Sequence, residues 1–263
     1  MLDFENKVCI VTGSTSGIGF GIAEYLLNRG AEVYVSGRTP EHMEETKDAL
    51  SKFGSKVHFE LLDVCDRDKT EAYVREIGEK GRIDYLFANA GGGTVNRFDE
   101  ITWQMWDEIF GANVFGVIAV IKGALPYMKK QNEGHIVITS SIAGYSVNPY
   151  QSHYVATKHA VYGMAQSLSY ELARNNITVQ AICPAFVRTN IFTRNGEPEE
   201  AIPPQCISVE QAVEEIFAGV ESGEVTIKVC DEARTYYKAL REDPEYCHQT
   251  MLWLAELYGQ QLK

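Results

Sequence analysis

The chain has 263 residues, of which 45% are apolar, and it carries a formal net charge of -12 at pH 7. A chain of this length and composition can bury one substantial core, so we expect a single domain over residues 1–263. The acidic balance argues against nucleic acid or an anionic membrane as a partner, because both select for basic surfaces.

The N-terminus and the cysteines indicate where the protein resides. The first seven residues are polar and acidic and show no basic region followed by an apolar stretch, so we expect no signal peptide. The longest apolar runs, around residues 114–121, are shorter than the roughly 20 residues of a membrane-spanning helix. Six scattered cysteines without a C-x-x-C pair fit reduced thiols. We therefore expect a soluble, cytoplasmic protein with no membrane partner.

Short β-rich runs alternate with longer segments that carry apolar residues at helical spacing. Strands are predicted at residues 8–11, 32–36, 57–62, 83–89, 135–139 and 178–182, and helices at about 18–29, 41–53, 67–80, 103–130 and 153–174. The strands are mostly continuous apolar runs, as is typical of parallel strands covered on both faces. This order predicts an α/β fold, a Rossmann-type doubly wound parallel sheet of about seven strands.

The pattern changes in two places. Pro126 falls inside the fourth helical segment and is expected to kink or divide it. After residue 184 the periodicity weakens, and we interpret residues 190–207 as a substrate loop. A helix at about 208–222 follows, residues 224–229 could add a strand, and the aromatic tail at about 231–263 has a helical pattern.

A glycine-rich turn follows the first predicted strand and opens the first helix. It consists of Thr12, Gly13, Ser14, Thr15, Ser16, Gly17, Ile18 and Gly19. Glycines let the backbone turn sharply and approach a pyrophosphate, and the helix N-terminus adds N–H groups and positive potential. The spacing differs from G-x-G-x-x-G, and the lysine of a Walker A loop is missing. Since an ordinary tight turn would need one glycine rather than three, we predict a dinucleotide site.

Two further strand ends suggest contacts with the same ligand. After the second strand, Arg38 stands where an NAD site usually has an acid, just before a helix N-terminus that disfavours a cation. A 2′-phosphate would stabilise this arginine, so we predict NADP(H) over NAD(H); the alternative is a solvated charge. After the fourth strand, Asn89, Ala90 and Gly91 begin a glycine-rich stretch that favours close approach to a ligand, although a flexible loop has the same composition.

Tyr154 and Lys158 are four residues apart in the fifth predicted helix, so they share one helix face. An ammonium beside a phenol favours the ionised phenol, and such a tyrosine can transfer a proton near neutral pH. The pair alone is weak evidence, because a chain of this composition contains one by chance about half the time. The glycine turn and Ser141, thirteen residues before Tyr154, supply the context.

With these motifs the chain resembles the short-chain dehydrogenases/reductases, among them NADP-dependent hydroxysteroid dehydrogenases and 3-oxoacyl reductases. The matching pieces, over residues 5–190, are the glycine turn, Asp63 with Val64, Asn89 to Gly91, Asn113, the Ser140 and Ser141 pair, Tyr154 with Lys158, and Pro184 followed by Val187 and Thr189. Ala185 departs from the glycine that the family usually has after the proline. The C-terminal tail also departs from the family pattern.

The resemblance implies a role for each matching residue. Tyr154 would be the general acid/base, Lys158 would hold the nicotinamide ribose and lower the pKa of Tyr154, and Ser141 would hydrogen-bond the reacting oxygen. Asn113 would hold a water of the proton relay, unless it only satisfies backbone groups in its helix. The adenosine half would meet Asp63 and Asn89, and the carboxamide would meet Thr189 and Val187. Asp63 could equally be a helix cap.

The substrate is expected to be a small-molecule ketone or alcohol, bound outside the carboxyl ends of the strands. We predict a largely apolar cleft formed by Val95, Phe98, Tyr145, Val147, Tyr150, Phe186, Ile191 and Phe192. Such a cleft favours a bulky secondary alcohol of the hydroxysteroid or bile-acid type, although each residue could belong to the core. A 3-oxoacyl thioester is the alternative within the family.

Two other classes of protein share some of these motifs. A nucleotide-binding redox sensor without turnover is a rival, but such proteins often lack the tyrosine or lysine. A sugar-nucleotide epimerase would need a larger C-terminal domain. The six histidines are dispersed, so we expect no metal site. The resemblance implies a homodimer or homotetramer through the helices at 103–130 and 153–174.

Overall fold

The structure is a computed structural model, and it describes residues 2–189 and 205–261. Its centre is a sheet of seven parallel strands in the order β3-β2-β1-β4-β5-β6-β7. The strands are β1 (Val8–Thr12), β2 (Glu32–Gly37), β3 (Val57–Leu61), β4 (Tyr85–Ala88), β5 (Gly134–Thr139), β6 (Ile177–Pro184) and β7 (Thr226–Val229). The predicted doubly wound α/β sheet is confirmed, including the seventh strand.

Helices cover both faces of this sheet. They are α1 (Gly17–Leu27), α2 (Pro40–Leu50), α3 (Arg67–Glu79), α4 (Trp103–Phe110), α5 (Gly116–Gln131), α6 (Ser152–Leu172), α7 (Val209–Ser222), α8 (Asp231–Glu242) and α9 (Pro244–Gln261). On one face α1 and α7 pack together over a core that includes Ile22 and Ile216. On the other face α3, α5 and α6 enclose a second core that includes Val74 and Val120.

The long fourth helical segment is interrupted at a different place from the one predicted. Pro126 lies inside α5, which continues unbroken to Gln131, so the expected division at the proline is wrong. Instead a π-helical turn at Gly111–Phe115 separates α4 from α5. This turn contains Asn113, which suggests that the irregular backbone serves the site described below.

The same segment corrects the expectation about apolar length. As one helical stretch, residues 103–131 are long and apolar enough to cross a membrane by length and composition alone. Half of the apolar window is buried within the fold, where α5 packs against α3, β4 and β5. A core helix gives the same pattern, because it must also be apolar on most of its surface.

The order of the strands determines where a site can form. The chain proceeds outward from β1 through β2 to β3, and it then returns to the other side of β1 with β4. Loops after β1 and β4 therefore leave the sheet in opposite directions, which opens a crevice at their carboxyl ends. Seven strand ends thus supply side chains to one edge of the sheet.

Candidate active site

A cleft of about 590 Å³ lies at the carboxyl ends of the strands. The predicted site residues that line it are Gly13, Thr15, Ser16, Gly17, Ile18, Gly19, Arg38, Asp63, Val64, Asn89, Ala90, Gly91, Asn113, Ser141, Tyr154, Lys158, Pro184, Val187 and Thr189. Segments far apart in the sequence therefore meet in one place, as the parallel topology requires. Ser14 is the exception among the predicted residues.

The glycine turn allows the chain after β1 to contact the chain after β4. A side chain at Gly13 would prevent this contact. Gly13 has a φ of +63°, and a Cβ there would lie 2.7 Å from the Cα of Ala90. A Cβ at Gly19 would collide with the carbonyl oxygen of Gly13. Gly17, with a φ of +55°, begins α1. The turn therefore places the N-terminus of α1 at the cleft, where its first N–H groups have no partner inside the helix.

Ser14 supports the turn from inside instead of lining the cleft. Its buried hydroxyl donates to the carbonyl oxygen of Val11 at 2.6 Å and accepts from the N–H of Ser36 at 3.0 Å. The side chain thus joins the ends of β1 and β2. The hydroxyl of Ser14 is therefore directed toward the sheet, and the contact of this residue with a cofactor stays a prediction.

Asn89 has a similar supporting role at the end of β4. Its amide nitrogen donates to the carbonyl oxygens of Thr12 at 3.1 Å and Gly13 at 3.2 Å, and its amide oxygen accepts from the hydroxyl of Thr139 at 3.0 Å. The hydroxyl of Thr12 in turn accepts from the N–H groups of Asn89 and Ala90. Sequence analysis missed Thr139 and named Thr12 only as the first residue of the turn motif. The roles of both hydroxyls become visible only when β1, β4 and β5 are placed side by side.

Arg38 follows β2 and lies on the cleft with its side chain exposed. Within residues 2–189 and 205–261 the ion pairs of the structure do not include it, and its sequence neighbour Thr39 is the residue that precedes α2. A guanidinium at a helix N-terminus, without a carboxylate partner, favours a nearby anion.

Asp63 also faces the cleft, and it does not cap α3. Its carboxylate accepts from the N–H of Cys65 at 3.0 Å, whereas the cap of α3 is Asp66, which accepts from the N–H of Lys69. The alternative interpretation of Asp63 as a helix cap is therefore wrong. The exposed carboxylate remains available to a ligand in the cleft.

Ser141, Tyr154 and Lys158 converge at the other end of the cleft. Ser141 follows β5, and Tyr154 and Lys158 lie on the first two turns of α6. The Nζ of Lys158 is 5.7 Å from the centre of the Tyr154 ring and donates to the carbonyl oxygen of Thr139 at 3.0 Å. Gly93 lies against the Tyr154 ring, since a Cβ there would be 2.7 Å from Cδ2. The phenol is thus fixed between the glycine-rich stretch and α6.

Burial determines the acidity of this pair. It raises the pKa of Tyr154 above its ordinary value, and the nearby Ser141 hydroxyl, which favours the phenolate, lowers that pKa only in part. Burial also lowers the pKa of Lys158 to about 8. The expected lowering of the Tyr154 pKa by Lys158 is not found in the protein alone, because the loss of hydration on burial outweighs the other effects on the phenol. The phenol of Tyr154 is therefore protonated at neutral pH.

Asn113 joins the glycine-rich stretch to the catalytic helix. Its buried side chain accepts from the N–H of Gly92 and donates to the Gly92 carbonyl oxygen and to the Thr157 hydroxyl, each at 2.9 Å. Thr157 in turn donates to the carbonyl oxygen of Tyr154 at 2.7 Å. Asn113 therefore satisfies backbone groups outside its own helix and positions both sides of Tyr154.

The predicted apolar wall of the substrate end is not reproduced. Of its eight residues, Ile191 and Phe192 lie outside the described residues, and the other six do not line the cleft. The hydroxyl of Tyr145 donates to the carbonyl oxygen of Ala233 at 2.9 Å, so this ring packs against α8. Phe98 and Val147 are exposed. Near Tyr154 the cleft is lined instead by Thr94 and His153, which are hydrogen-bonded to each other at 2.9 Å.

The residues present fit a dinucleotide with a nicotinamide end. The glycine turn leaves room for a pyrophosphate beside a helix N-terminus, Arg38 offers a cation at one end, and Lys158 and Tyr154 offer proton donors at the other. Groups of three or more His, Cys, Asp or Glu side chains that could hold a metal ion are absent from the described part of the chain. The arrangement can bind a dinucleotide and transfer a proton to an oxygen beside it.

Comparison with known proteins gives the same answer. The family model described as short chain dehydrogenase matches residues 7–200. The chain is 36% identical over 186 residues to a 3-oxoacyl-[acyl-carrier-protein] reductase of Thermotoga maritima, with 70% of this chain and 76% of the relative covered. It is 31% identical over 218 residues to a D-beta-hydroxybutyrate dehydrogenase of Rhizobium meliloti, with 80% and 82% covered.

Solved structures are similar over nearly the whole chain. A short-chain dehydrogenase/reductase from Burkholderia phymatum, in complex with NAD, has a TM-score of 0.84 at 27% identity and covers 94% of this chain and 96% of its own. A short-chain dehydrogenase from Burkholderia cenocepacia, in complex with NADP, has a TM-score of 0.82 at 26% identity, with 95% and 99% covered. The similarity extends beyond the matched family region and into the C-terminal part.

Proposed function

This chain belongs to the short-chain dehydrogenase family, and on that premise we propose that it interconverts a secondary alcohol and a ketone with NADP(H). The observation that carries the proposal is the convergence of Ser141, Tyr154 and Lys158 on the cleft that also contains the glycine turn. A sensor that only binds a nucleotide would not need a buried lysine next to a partly buried phenol, because both groups lose hydration there.

The bound nicotinamide supplies or accepts the hydride, and the protein handles the oxygen and the proton. In the reduction, the Tyr154 hydroxyl donates its proton to the carbonyl oxygen, which suits a phenol that burial keeps protonated. The Ser141 hydroxyl donates a hydrogen bond to the same oxygen as negative charge develops on it. Lys158, with a pKa of about 8, is cationic at neutral pH and provides N–H donors for ribose hydroxyls. The oxidation of an alcohol uses the same groups in reverse.

The preference for NADP(H) rests on Arg38. A 2′-phosphate at the adenosine end would give the exposed guanidinium a bidentate partner, whereas NAD(H) would leave it beside a helix N-terminus without an anion. Similar structures contain either NAD or NADP. The cation after β2 is therefore the residue on which the choice depends.

For the substrate we propose a 3-oxoacyl or 3-hydroxyacyl compound. Two of the similar relatives bear names of enzymes that act on a 3-oxoacyl and a 3-hydroxybutyrate substrate. Of the eight apolar residues that suggested a hydroxysteroid or bile acid, the six that the structure describes do not line the cleft, and Thr94 and His153 add polar groups near Tyr154. A hydroxysteroid remains the second candidate, because Ile191 and Phe192 belong to the predicted substrate loop.

Initial rates test the reaction and the substrate together. Purified protein is assayed with NADPH and NADH against acetoacetyl thioester, a 3-oxosteroid and an oxo bile acid, and nicotinamide absorbance is followed. We expect turnover of the thioester with NADPH and a loss of at least about 100-fold in kcat for Tyr154→Phe, the lower bound for removing a general acid. Binding of NADPH without turnover of any ketone would instead support the redox sensor.

The assembly and the location follow from the same family assignment. We propose a homodimer or homotetramer through α4, α5 and α6, where Trp103 and Tyr170 present large aromatic surfaces to solvent. We also propose a cytoplasmic location, since the six cysteines of the sequence are all free where the structure describes them.

A further inference from the structure

Tyr150 has a backbone conformation that a residue with a side chain rarely adopts. Its φ is +61°, in the left-handed region that favours glycine. It lies two residues before α6 and four residues before Tyr154. Strain of this kind persists only where surrounding contacts hold it, and it is concentrated near functional sites.

The first contact that holds Tyr150 comes from the stretch after β4. The N–H of Asn96 donates to the carbonyl oxygen of Tyr150 at 2.8 Å. Two residues earlier, Thr94 lines the cleft, and Gly93 packs on the ring of Tyr154. The backbone of Tyr150 is therefore tied to the same stretch that supports one side of the phenol.

The second contact comes from the C-terminal helix. The side chain of Tyr150 extends to α9, where a Cβ on Gly259 would lie 2.7 Å from the hydroxyl oxygen of Tyr150 and 3.6 Å from its Cζ. A side chain at residue 259 would therefore displace the phenol from the helix backbone. Without the hydroxyl, the remaining 3.6 Å would be an ordinary van der Waals distance.

Helix α9 is anchored, so it can transmit this contact. The side chain of Cys247 is buried, and its carbonyl oxygen accepts from the hydroxyl of Tyr236 on α8 at 3.5 Å. Helix α8 itself follows β7 and receives the hydrogen bond from Tyr145. Helix α8 thus links the tail to β7 and Tyr145, and α9 links it to Tyr150 at the entry to α6.

We propose that α9 is a positioning element for the catalytic tyrosine, and that it acts through the contact between Gly259 and Tyr150. The C-terminal tail thereby holds the strained entry to α6 and the Asn96 hydrogen bond in place. The kinetic part of this inference rests on the proposed function, whereas its structural part does not.

The test is a double-mutant cycle with Gly259→Ala and Tyr150→Phe. An added Cβ meets the hydroxyl oxygen in G259A, and the second substitution removes that oxygen. We expect G259A to lower kcat for acetoacetyl thioester at least tenfold, with the KM for NADPH changed by less than twofold. In the Y150F background the same glycine substitution is expected to change kcat by less than twofold. Equal losses in both backgrounds would overturn the proposal.

A matched control separates this contact from a general effect of alanine in a helix. Gly163 lies in α6 with open space around its Cβ position. Gly163→Ala removes the same backbone freedom without a clash, and we expect its kcat to equal that of the wild type. A tenfold loss in G163A would show that helix perturbation alone explains the result.

A second measurement needs no substrate. Amide hydrogen exchange of Asn96 reports its hydrogen bond to Tyr150, and we expect exchange at least tenfold faster in G259A but not in the double variant. If no ketone is turned over, the proposed function fails while this measurement still decides the positioning role. Unchanged protection of Asn96 in G259A would refute the coupling from α9 to the entry of α6.

Discussion

At Lys158 the needs of catalysis and of stability oppose each other. The side chain is almost fully buried with one hydrogen bond to a backbone carbonyl, and burial lowers its pKa from 10.5 to about 8. A difference of this size corresponds to about 3 kcal/mol of stability lost at neutral pH. The chain therefore retains a destabilising charge at the position where the reaction needs a cation.

From this opposition we predict that Lys158→Met stabilises the cofactor-free protein at pH 7. The expected gain in the free energy of unfolding is about 2 kcal/mol, because about 1 kcal/mol is returned by loss of the hydrogen bond to Thr139. Between pH 8 and 10.5 the unfolded lysine still binds a proton that the folded one has released, so the wild type becomes relatively more stable as pH rises. Denaturant unfolding of both proteins at pH 7, 9 and 10.5 measures the stability gain of the variant and its decrease with pH. A difference in stability that does not change with pH would contradict the lowered pKa of Lys158.

Arg38 carries the prediction about the cofactor. Arg38→Asp is expected to lower kcat/KM for NADPH by roughly 10- to 100-fold, since a charge-assisted hydrogen bond contributes about 1.5–3 kcal/mol. The value for NADH should rise, because the new carboxylate can accept from the ribose hydroxyls. Initial rates with both cofactors check this, and Arg29→Asp, which removes a cation outside the described cleft, is the control. Loss of both activities in equal proportion would refute the role of Arg38.

Single residues differ in how far the sequence predicts them. Tyr154 and Lys158 were predictable because their spacing places them on one helix face whatever the sheet does. Ser14 was not, because the direction of its hydroxyl depends on how β1 and β2 meet. Thr139 gave no sequence signal, since a threonine at a strand end is common and its partner is distant in the sequence. Thr12 belongs to the turn motif, but the partners of its hydroxyl could not be read from the motif.

At the scale of elements, the π-helical turn at Gly111–Phe115 connects parts that the sheet alone would not connect. Through Asn113 it holds Gly92 on one side and Thr157 on the other. A regular helix would present residue 113 at a different angle, because a π turn adds a residue to the turn. The local irregularity thus places an amide between two segments that flank Tyr154.

We predict that Asn113→Ala weakens both the fold and the reaction. It leaves the N–H and carbonyl of Gly92 and the hydroxyl of Thr157 without this partner, and each buried unsatisfied group costs about 1–3 kcal/mol. We expect the free energy of unfolding to fall by at least about 2 kcal/mol and kcat to fall with it. Chemical denaturation and initial rates measure these effects. The control is Asn28→Ala, at the exposed end of α1, which should change neither the stability nor kcat. An N113A protein of wild-type stability would show that the side-chain amide of Asn113 is dispensable.

Elements were predictable where local pattern and tertiary contacts agree. The buried strands and α6 follow from apolar runs and helical spacing. Pro126 misled the prediction because its residue type predicts a break, whereas α5 accommodates it and the irregularity occurs at Gly111–Phe115. Tyr145 was misplaced in the predicted apolar cleft for a related reason. Its ring is apolar enough for a cleft, but its hydroxyl finds a partner on α8, which the sequence does not place beside it.

At the scale of the whole molecule, the two ends of the parallel strands differ. A charged cluster lies at the amino ends, and the cleft lies at the carboxyl ends. At the amino ends, Asp84 is buried and accepts from the N–H of Val8 at 2.8 Å, and Arg82 and Lys7 pair with it. At the carboxyl ends, glycines and exposed polar side chains form the cleft. The charged cluster stabilises the start of β1 far from the reaction, so changes there should affect stability before cofactor preference.

Two large aromatic side chains on one face of the sheet are exposed to solvent and favour assembly into an oligomer. Trp103 on α4 is 84% exposed and Tyr170 on α6 is 83% exposed, although both helices pack on the same side of the sheet. Large aromatic side chains are enriched at protein interfaces and costly to leave in water. We therefore expect light scattering to give a dimer or tetramer mass for the wild type, and a lower mass for the double variant Trp103→Glu with Tyr170→Glu.

The control for this prediction lies on a different helix. Trp253 on α9 is 60% exposed, so Trp253→Glu introduces the same kind of charge outside α4 and α6. We expect this variant to keep the wild-type mass. If W253E dissociates the assembly while the α4 and α6 variant does not, the interface belongs to the tail, and the Gly259 contact would then lie next to a subunit boundary. A wild-type protein of monomer mass at micromolar concentration would remove the interface altogether, and the exposed aromatics would need another partner.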